Sequence, residues 1–234
     1  MLLESRNLTK KFGLKTAVHQ ITLSLEKGHV YALLGPNGSG KTTWMKMAAG
    51  LVKPTEGEVT FKGAPINVES RRHIAYMSTE PYFYGWMNIG DAGRYYADFF
   101  PDFSKDAYSE FLARMRLSPK QKISSLSSGM TAKMKIAITM ARDADVWLLD
   151  EPFNGIDLLA RDDIRKCILE RAGENKLLMI SSHLVEEMEA VADRAVFVKC
   201  GELVEVRELK QMRDADGASM SDRYRAIYGH EEEA

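Results

Sequence analysis

Apolar positions along the chain follow two rhythms. Between Leu2 and Leu25 they alternate with polar ones in short stretches such as Ile21-Thr22-Leu23-Ser24-Leu25, and the rhythm returns at Glu58-Val59-Thr60-Phe61-Lys62. Period-two alternation predicts antiparallel strands with one face in water. Val30-Tyr31-Ala32-Leu33-Leu34, Val146-Trp147-Leu148-Leu149 and Leu177-Leu178-Met179-Ile180 are instead unbroken apolar runs, the pattern of strands covered on both faces in a parallel sheet. An aromatic-rich stretch from Trp86 to Arg116 has helical spacing, interrupted by Pro101 and followed by Pro119. From about Asp214 a short helix is expected with Tyr224, Ile227 and Tyr228 on neighbouring turns, then Gly229 and an acidic end. The pattern predicts one α/β domain over residues 1–234: a mostly parallel core sheet, an N-terminal antiparallel β-subdomain, a helical insertion over 82–142, and a C-terminal helix and tail over 210–234.

Composition adds exclusions. A formal charge of -1, with lysines scattered along the chain, gives no field that would gather nucleic acid. Cys167 and Cys200 are far apart and form no CxxC pair, which fits a reduced cytosolic protein in which both are small core residues. Glu4 and Arg6 interrupt the start before an apolar signal core can form. No apolar run approaches the roughly 20 residues that span a bilayer. A membrane role would need another chain to supply the membrane.

The strand Val30 to Leu34 runs into Gly35-Pro36-Asn37-Gly38-Ser39-Gly40-Lys41-Thr42, the pattern GxxxxGK[ST], and a helix-compatible stretch follows from Lys41. Glycines let the backbone curl so that successive N–H groups point inward, and the helix start adds partial positive charge. Lys41 is placed to reach the β- and γ-phosphates of a nucleotide, and Thr42 to hold Mg²⁺ through its hydroxyl. A second polar feature ends the strand at Val146: Asp150 and Glu151 sit where open α/β sheets bind ligands. Adjacent strand residues point opposite ways, so Asp150 is expected to face the Mg²⁺ shell and Glu151 the attacking water.

With these motifs in order, the chain resembles the nucleotide-binding subunit of an ABC transporter from Leu2 to about Leu209. Leu126-Ser127-Ser128-Gly129-Met130 resembles the LSGGQ signature, Asn154-Gly155-Ile156-Asp157 the D-loop, and Ser181-Ser182-His183 the segment carrying the switch histidine. Phe12 falls where the family stacks adenine. The resemblance implies ATP contacts from Phe12 and from residues 35–43, ending with Thr43, and Mg²⁺ held by Thr42 and Asp150. It implies hydrolysis by Glu151 with His183 and Lys41, and a head-to-tail dimer with a second ATPase subunit. There Ser127, Ser128, Gly129 and Met130 meet the ATP of the partner, with Asp157 close by. The helix starting at the signature would favour the γ-phosphate's charge.

Two positions depart from that pattern. Thr79 stands where a glutamine is expected, shorter by two atoms, with Glu80 or a water as a candidate substitute; Ser128 and Met130 replace a glycine and a glutamine of the signature. The resemblance implies an ATPase at the cytoplasmic face of the membrane, bound to a polytopic permease subunit that meets the helical insertion. The segment Tyr95 to Phe103 is similar to stand-alone ATPase subunits of bacterial exporters of drugs and antimicrobial peptides. The insertion's aromatics could equally be its own core, and Phe12 a core residue. Two other readings stand beside this one. The first is a soluble ABC-type ATPase acting on DNA or ribosomes, whose relatives carry coiled-coil insertions or two fused ATPase domains. The second is a non-catalytic regulatory ATP binder, which Thr79 and Met130 make conceivable.

Overall fold

The computed structural model describes residues 1–229, so the acidic end expected after Gly229 lies outside the described residues. The chain starts as a long hairpin, β1 (Leu3–Phe12) and β2 (Lys15–Leu25), and passes into β3 (His29–Leu34) and α1 (Lys41–Ala48). β4 (Glu56–Phe61) and the two-residue β5 (Ala64–Pro65) return to the hairpin, giving an antiparallel sheet of order β2-β1-β4-β5. Then come α2 (Val68–Arg72) and β6 (Ile74–Met77). The insertion follows, with α3 (Ile89–Phe99) stopping before Pro101, α4 (Lys105–Arg114) and α5 (Ser128–Met140). The core resumes with β7 (Val146–Asp150), α6 (Leu158–Arg171), β8 (Leu177–Ser182), α7 (Val185–Glu189), β9 (Arg194–Lys199) and β10 (Glu202–Glu208). Two helices close the described chain, α8 (Leu209–Asp216) and α9 (Met220–Tyr228), where one had been expected. Gly217, with φ 61°, separates them.

The second sheet has six strands in the order β10-β9-β3-β8-β7-β6. All its pairings are parallel except β9 with β10. The fold is therefore the expected α/β class, with helices on a mostly parallel sheet and an antiparallel sheet beside it. The unbroken apolar runs have a direct cause. In β7, Val146 and Leu148 join the core beneath α1 and the antiparallel sheet, while Trp147 and Leu149 join the core beneath the insertion and α6. Both faces are dry, so both parities are apolar. Full burial of Trp147, worth about 3–5 kcal/mol against truncation to alanine, is completed by its indole N–H on the Thr139 carbonyl at 3.3 Å.

The insertion's aromatics divide between the two readings left open. Tyr108 and Phe111 are buried, whereas Tyr95 and Phe99 are exposed on α3. The cysteines also divide: Cys167 lies in the core of α6, but Cys200 is exposed in the β9–β10 turn at φ 49°, correcting the expectation that both are buried. Among the described residues no helix is long and apolar enough to cross a membrane.

Candidate active site

β3 and β8 are hydrogen-bonded in parallel, so the loop after β3 and the residues at the end of β8 emerge at the same edge of the sheet. Gly40 is the N-cap of α1 at φ 103°, and a Cβ there would stand 2.5 Å from the Ala17 carbonyl oxygen. No larger residue fits. No side chain caps α1 and its first turn contains no acid, so the amide protons of that turn are available to an anion. Lys41 is only 6% exposed. Its ammonium donates to the carbonyls of Gly35 and Pro36 at 2.7 and 3.1 Å and lies 3.8 Å from Glu151 Oε1. Burial pushes its pKa down, against the pull of Glu151 and Asp150. Ser39 Oγ is buried with no partner among the described residues. The uncapped helix start and the orphaned Ser39 hydroxyl lack acceptor oxygens, and the buried Lys41 charge stands beside them; a polyphosphate supplies such oxygens.

These groups line a cavity of about 450 Å³ that also takes in Phe12, Asn37, Thr43, Thr79, Asn154 and His183. Phe12 is 53% exposed at this cavity, with the Lys10 ammonium 5.0 Å from its ring centroid, and so is not a core residue.

Asp150 is fully buried. Its Oδ1 accepts from Ser181 Oγ at 2.6 Å and Thr42 Oγ1 at 3.1 Å, and its Oδ2 accepts from the Tyr76 hydroxyl at 3.2 Å. Desolvation, with the Asp150 charge beside it, pushes the Tyr76 phenol far above its ordinary value and holds it as a donor. Among the described residues no three acidic, histidine or cysteine side chains cluster as a metal cage. Thr42 and Asp150 are instead a two-residue oxygen set, fitting an Mg²⁺ that takes its other ligands from phosphates and water.

Strand alternation does not place Glu151. β7 ends at Asp150, and Glu151 adopts φ 49°, its N–H donating to Ser181 Oγ and the Ser181 carbonyl at 2.9 and 3.2 Å. This turn brings the Glu151 carboxylate to His183, whose Nδ1 is 2.9 Å from Oε2. A carboxylate only accepts, so the proton of that pair resides on Nδ1.

The signature residues stand apart from this cavity in the same chain. Ser127 caps α5, its Oγ accepting from Met130 N at 3.2 Å, which leaves its own hydroxyl proton to donate outward. Ser128 opens the helix; at Gly129 a Cβ would lie 3.0 Å from the Gly155 carbonyl; Met130 packs half-buried on the core. Asp157 caps α6 by accepting from Ala160 N at 3.0 Å, with Lys133 3.9 Å away. Glu80 does not stand in for the missing glutamine: its carboxylate is exposed on Lys46 at 2.9 Å, outside the cavity lining. Tyr76 and Ser181 were not read from the sequence as site residues. Their signal was a polar residue near the end of an otherwise apolar strand.

Residues 18–154 match the family described as ABC transporter. The chain belongs to that family. The lantibiotic transport ATP-binding protein SrtF of Streptococcus pyogenes is 32% identical over 209 residues, covering 88% of this chain and 91% of the relative. The bacitracin transport ATP-binding protein BcrA of Enterococcus faecalis is 33% identical over 219 residues, covering 90% and 70%. Among solved structures, an ATP-binding subunit of an ABC transporter superposes with a TM-score of 0.86 at 25% identity, covering 97% of this chain and 99% of the other. As a member of this family, the chain is an ATPase subunit.

Proposed function

We propose that this ABC subunit binds ATP with Mg²⁺ between its phosphate loop and the α5 start of a second ATPase subunit, and hydrolyses it to power peptide-antibiotic export. The observation that carries the hydrolytic part is the convergence of Lys41, Glu151 and His183 on one cavity at the start of α1. Phe12 offers a face for adenine, and the loop amides with Lys41 bind the phosphates. Thr42 and Asp150 would hold Mg²⁺, which would supply neutralisation of charge on the phosphate oxygens. Glu151 orients a water and accepts its proton; the His183 hydrogen bond fixes the carboxylate in place. Ser127, with its free hydroxyl proton, and the α5 N-terminus donate to the nucleotide of the partner subunit. Loss of the γ-phosphate then loosens the dimer.

The membrane subunit docks in an apolar groove of about 370 Å³ between α2, α3 and β6, where Leu51, Val68 and Phe99 are exposed beside Arg71 and Arg72, and half-buried Phe100 lies under Arg142. A helix with an apolar face fits such a groove. In this reading the chain works at the cytoplasmic face of the membrane. The export of peptides rests on the likeness to lantibiotic and bacitracin transport proteins. In Glu151→Gln, phosphate release is expected to fall at least ~100-fold with ATP affinity kept. Undiminished turnover would overturn the catalytic assignment. The same variant is expected to dimerise at saturating ATP in light scattering, and persistent monomers would count against the sandwich.

A further inference from the structure

Within α5 a lysine occupies a position that the surrounding helix devotes to apolar side chains. Met134, Ile136 and Ala137 are fully buried, and Lys135 between them is only 5% exposed. Among the described residues its ammonium forms no ion pair with a carboxylate. Instead it donates to three consecutive carbonyls, those of Ser78, Thr79 and Glu80, at 3.0, 2.8 and 2.8 Å. The Tyr82 ring lies 5.3 Å from Nζ on the continuing chain. An ammonium has three protons, so this set satisfies it completely. Burial disfavours the charge and pushes the pKa down, and the carbonyls are what keep it in place.

The converse holds for the backbone. Three successive carbonyls aimed at one point repel each other unless a cation sits there, so the shape of residues 78–80 depends on Lys135. Thr79, at the centre of that segment, lines the nucleotide cavity with Glu151 and His183. Its other restraints among the described residues include the exposed Glu80–Lys46 pair, which solvent screens and which constrains little, and the segment's own Glu80 N–H donating to Ser78 Oγ at 3.1 Å. The two-atom deficit of Thr79 against glutamine gives the backbone more weight, because a short side chain has no spare length to recover from a shift.

We propose that Lys135 is a positioning residue for ATP hydrolysis, setting the place of Thr79 in the nucleotide cavity and tying it rigidly to α5. Ser127 caps the N-terminus of that helix, about 12 Å from Lys135 along the axis. A displacement of α5 when Ser127 engages the partner's nucleotide is therefore passed to Thr79 of the same chain. This rests on the hydrolytic reading given above.

The test uses the full chain with Lys135→Met, which keeps length and burial but removes the charge and donors, and Lys135→Arg, which restores both. Without nucleotide, the Met variant is expected to exchange its amide protons around residues 78–82 about ten-fold faster, with the rest of the chain unchanged. Affinity for a fluorescent ATP analogue stays within about two-fold, while kcat falls about ten-fold or more, and Arg recovers at least half of the turnover. Unchanged exchange at 78–82, or unchanged kcat alongside faster exchange, overturns the proposal. So does faster exchange over the whole chain with affinity and kcat falling together, since that is a purely structural effect. If the Met variant does not fold, Lys135→Gln against Lys135→Arg supplies the same comparison. A wild-type chain that releases no phosphate overturns the hydrolytic reading instead, and the exchange experiment, which needs no turnover, still decides whether Lys135 holds the segment.

Discussion

The nucleotide cavity and the apolar groove come within three positions of each other along the chain, since Tyr76 lines the groove and Thr79 the cavity, yet they are built in opposite ways. The cavity is assembled from loops and strand ends around individually placed polar groups: Asp150 bonds to Thr42, Ser181 and Tyr76, and Glu151 meets His183 and Lys41, while Ser39 Oγ has no partner among the described residues. The groove is a set of aliphatic and aromatic surfaces rimmed by arginines. Phosphate chemistry demands particular atoms at particular places, whereas an apolar contact demands area and shape. A substitution in the cavity should therefore act on nucleotide binding or its chemistry, and one in the groove on the association of subunits.

The largest effect that would break this division comes from Lys41→Met. Losing a buried cation that faces phosphates is expected to cost about 2.7 kcal/mol, roughly 100-fold in ATP affinity. Equilibrium binding of a fluorescent analogue checks it, and retained affinity would remove the cavity's claim to the nucleotide. Next is Phe99→Asp, which places a charge on the exposed rim of the groove. Co-purification with the membrane subunit is expected to weaken by about 2 kcal/mol, the scale of an aromatic anchor; a fall in ATP affinity in its place would mean that the two cavities are not separable. Phe12→Ala comes third, with a loss of about 1 kcal/mol or more in affinity for adenine nucleotides and little change toward inorganic triphosphate. Equal losses for both ligands would exclude stacking.

Tyr76→Phe has the smallest expected effect and sharpens the comparison most, because its ring faces the groove while its hydroxyl reaches Asp150. One hydrogen bond of about 0.5–1.5 kcal/mol is removed, so the Mg²⁺ concentration at half-maximal nucleotide binding rises by roughly two- to ten-fold. Membrane-subunit association is expected to hold. The reverse outcome would assign Tyr76 to the groove alone.

These contrasts also explain what could be read from the chain. The phosphate loop and Asp150 were legible because each follows an unbroken apolar run, and a polar motif ending such a run is conspicuous. The direction of Glu151 was not, since period-two alternation says nothing about a residue that leaves the strand at φ 49°. Ser181 acquires its role from the pairing of β7 with β8, where Asp150 lies opposite it; register between strands is a non-local fact that a linear pattern does not contain. Lys135 had a local signal, a charge inside the apolar stretch Met134 to Ile138, but its carbonyl partners are more than fifty residues away. Cys200 was misjudged for a related reason. Composition placed it inside, and the turn between β9 and β10 placed it outside.

The order of strands has a consequence in time. β3, which leads into the phosphate loop, is hydrogen-bonded on one side to β8 and on the other to β9, and the hydroxyl of Tyr228 reaches the carbonyls of Leu34 and Val198 beneath it. All of these supports leave the ribosome long after β3 itself. A nascent chain therefore carries the glycine-rich segment without the frame that shapes it, and gains its grip on nucleotide only after β9 and Tyr228 have followed it.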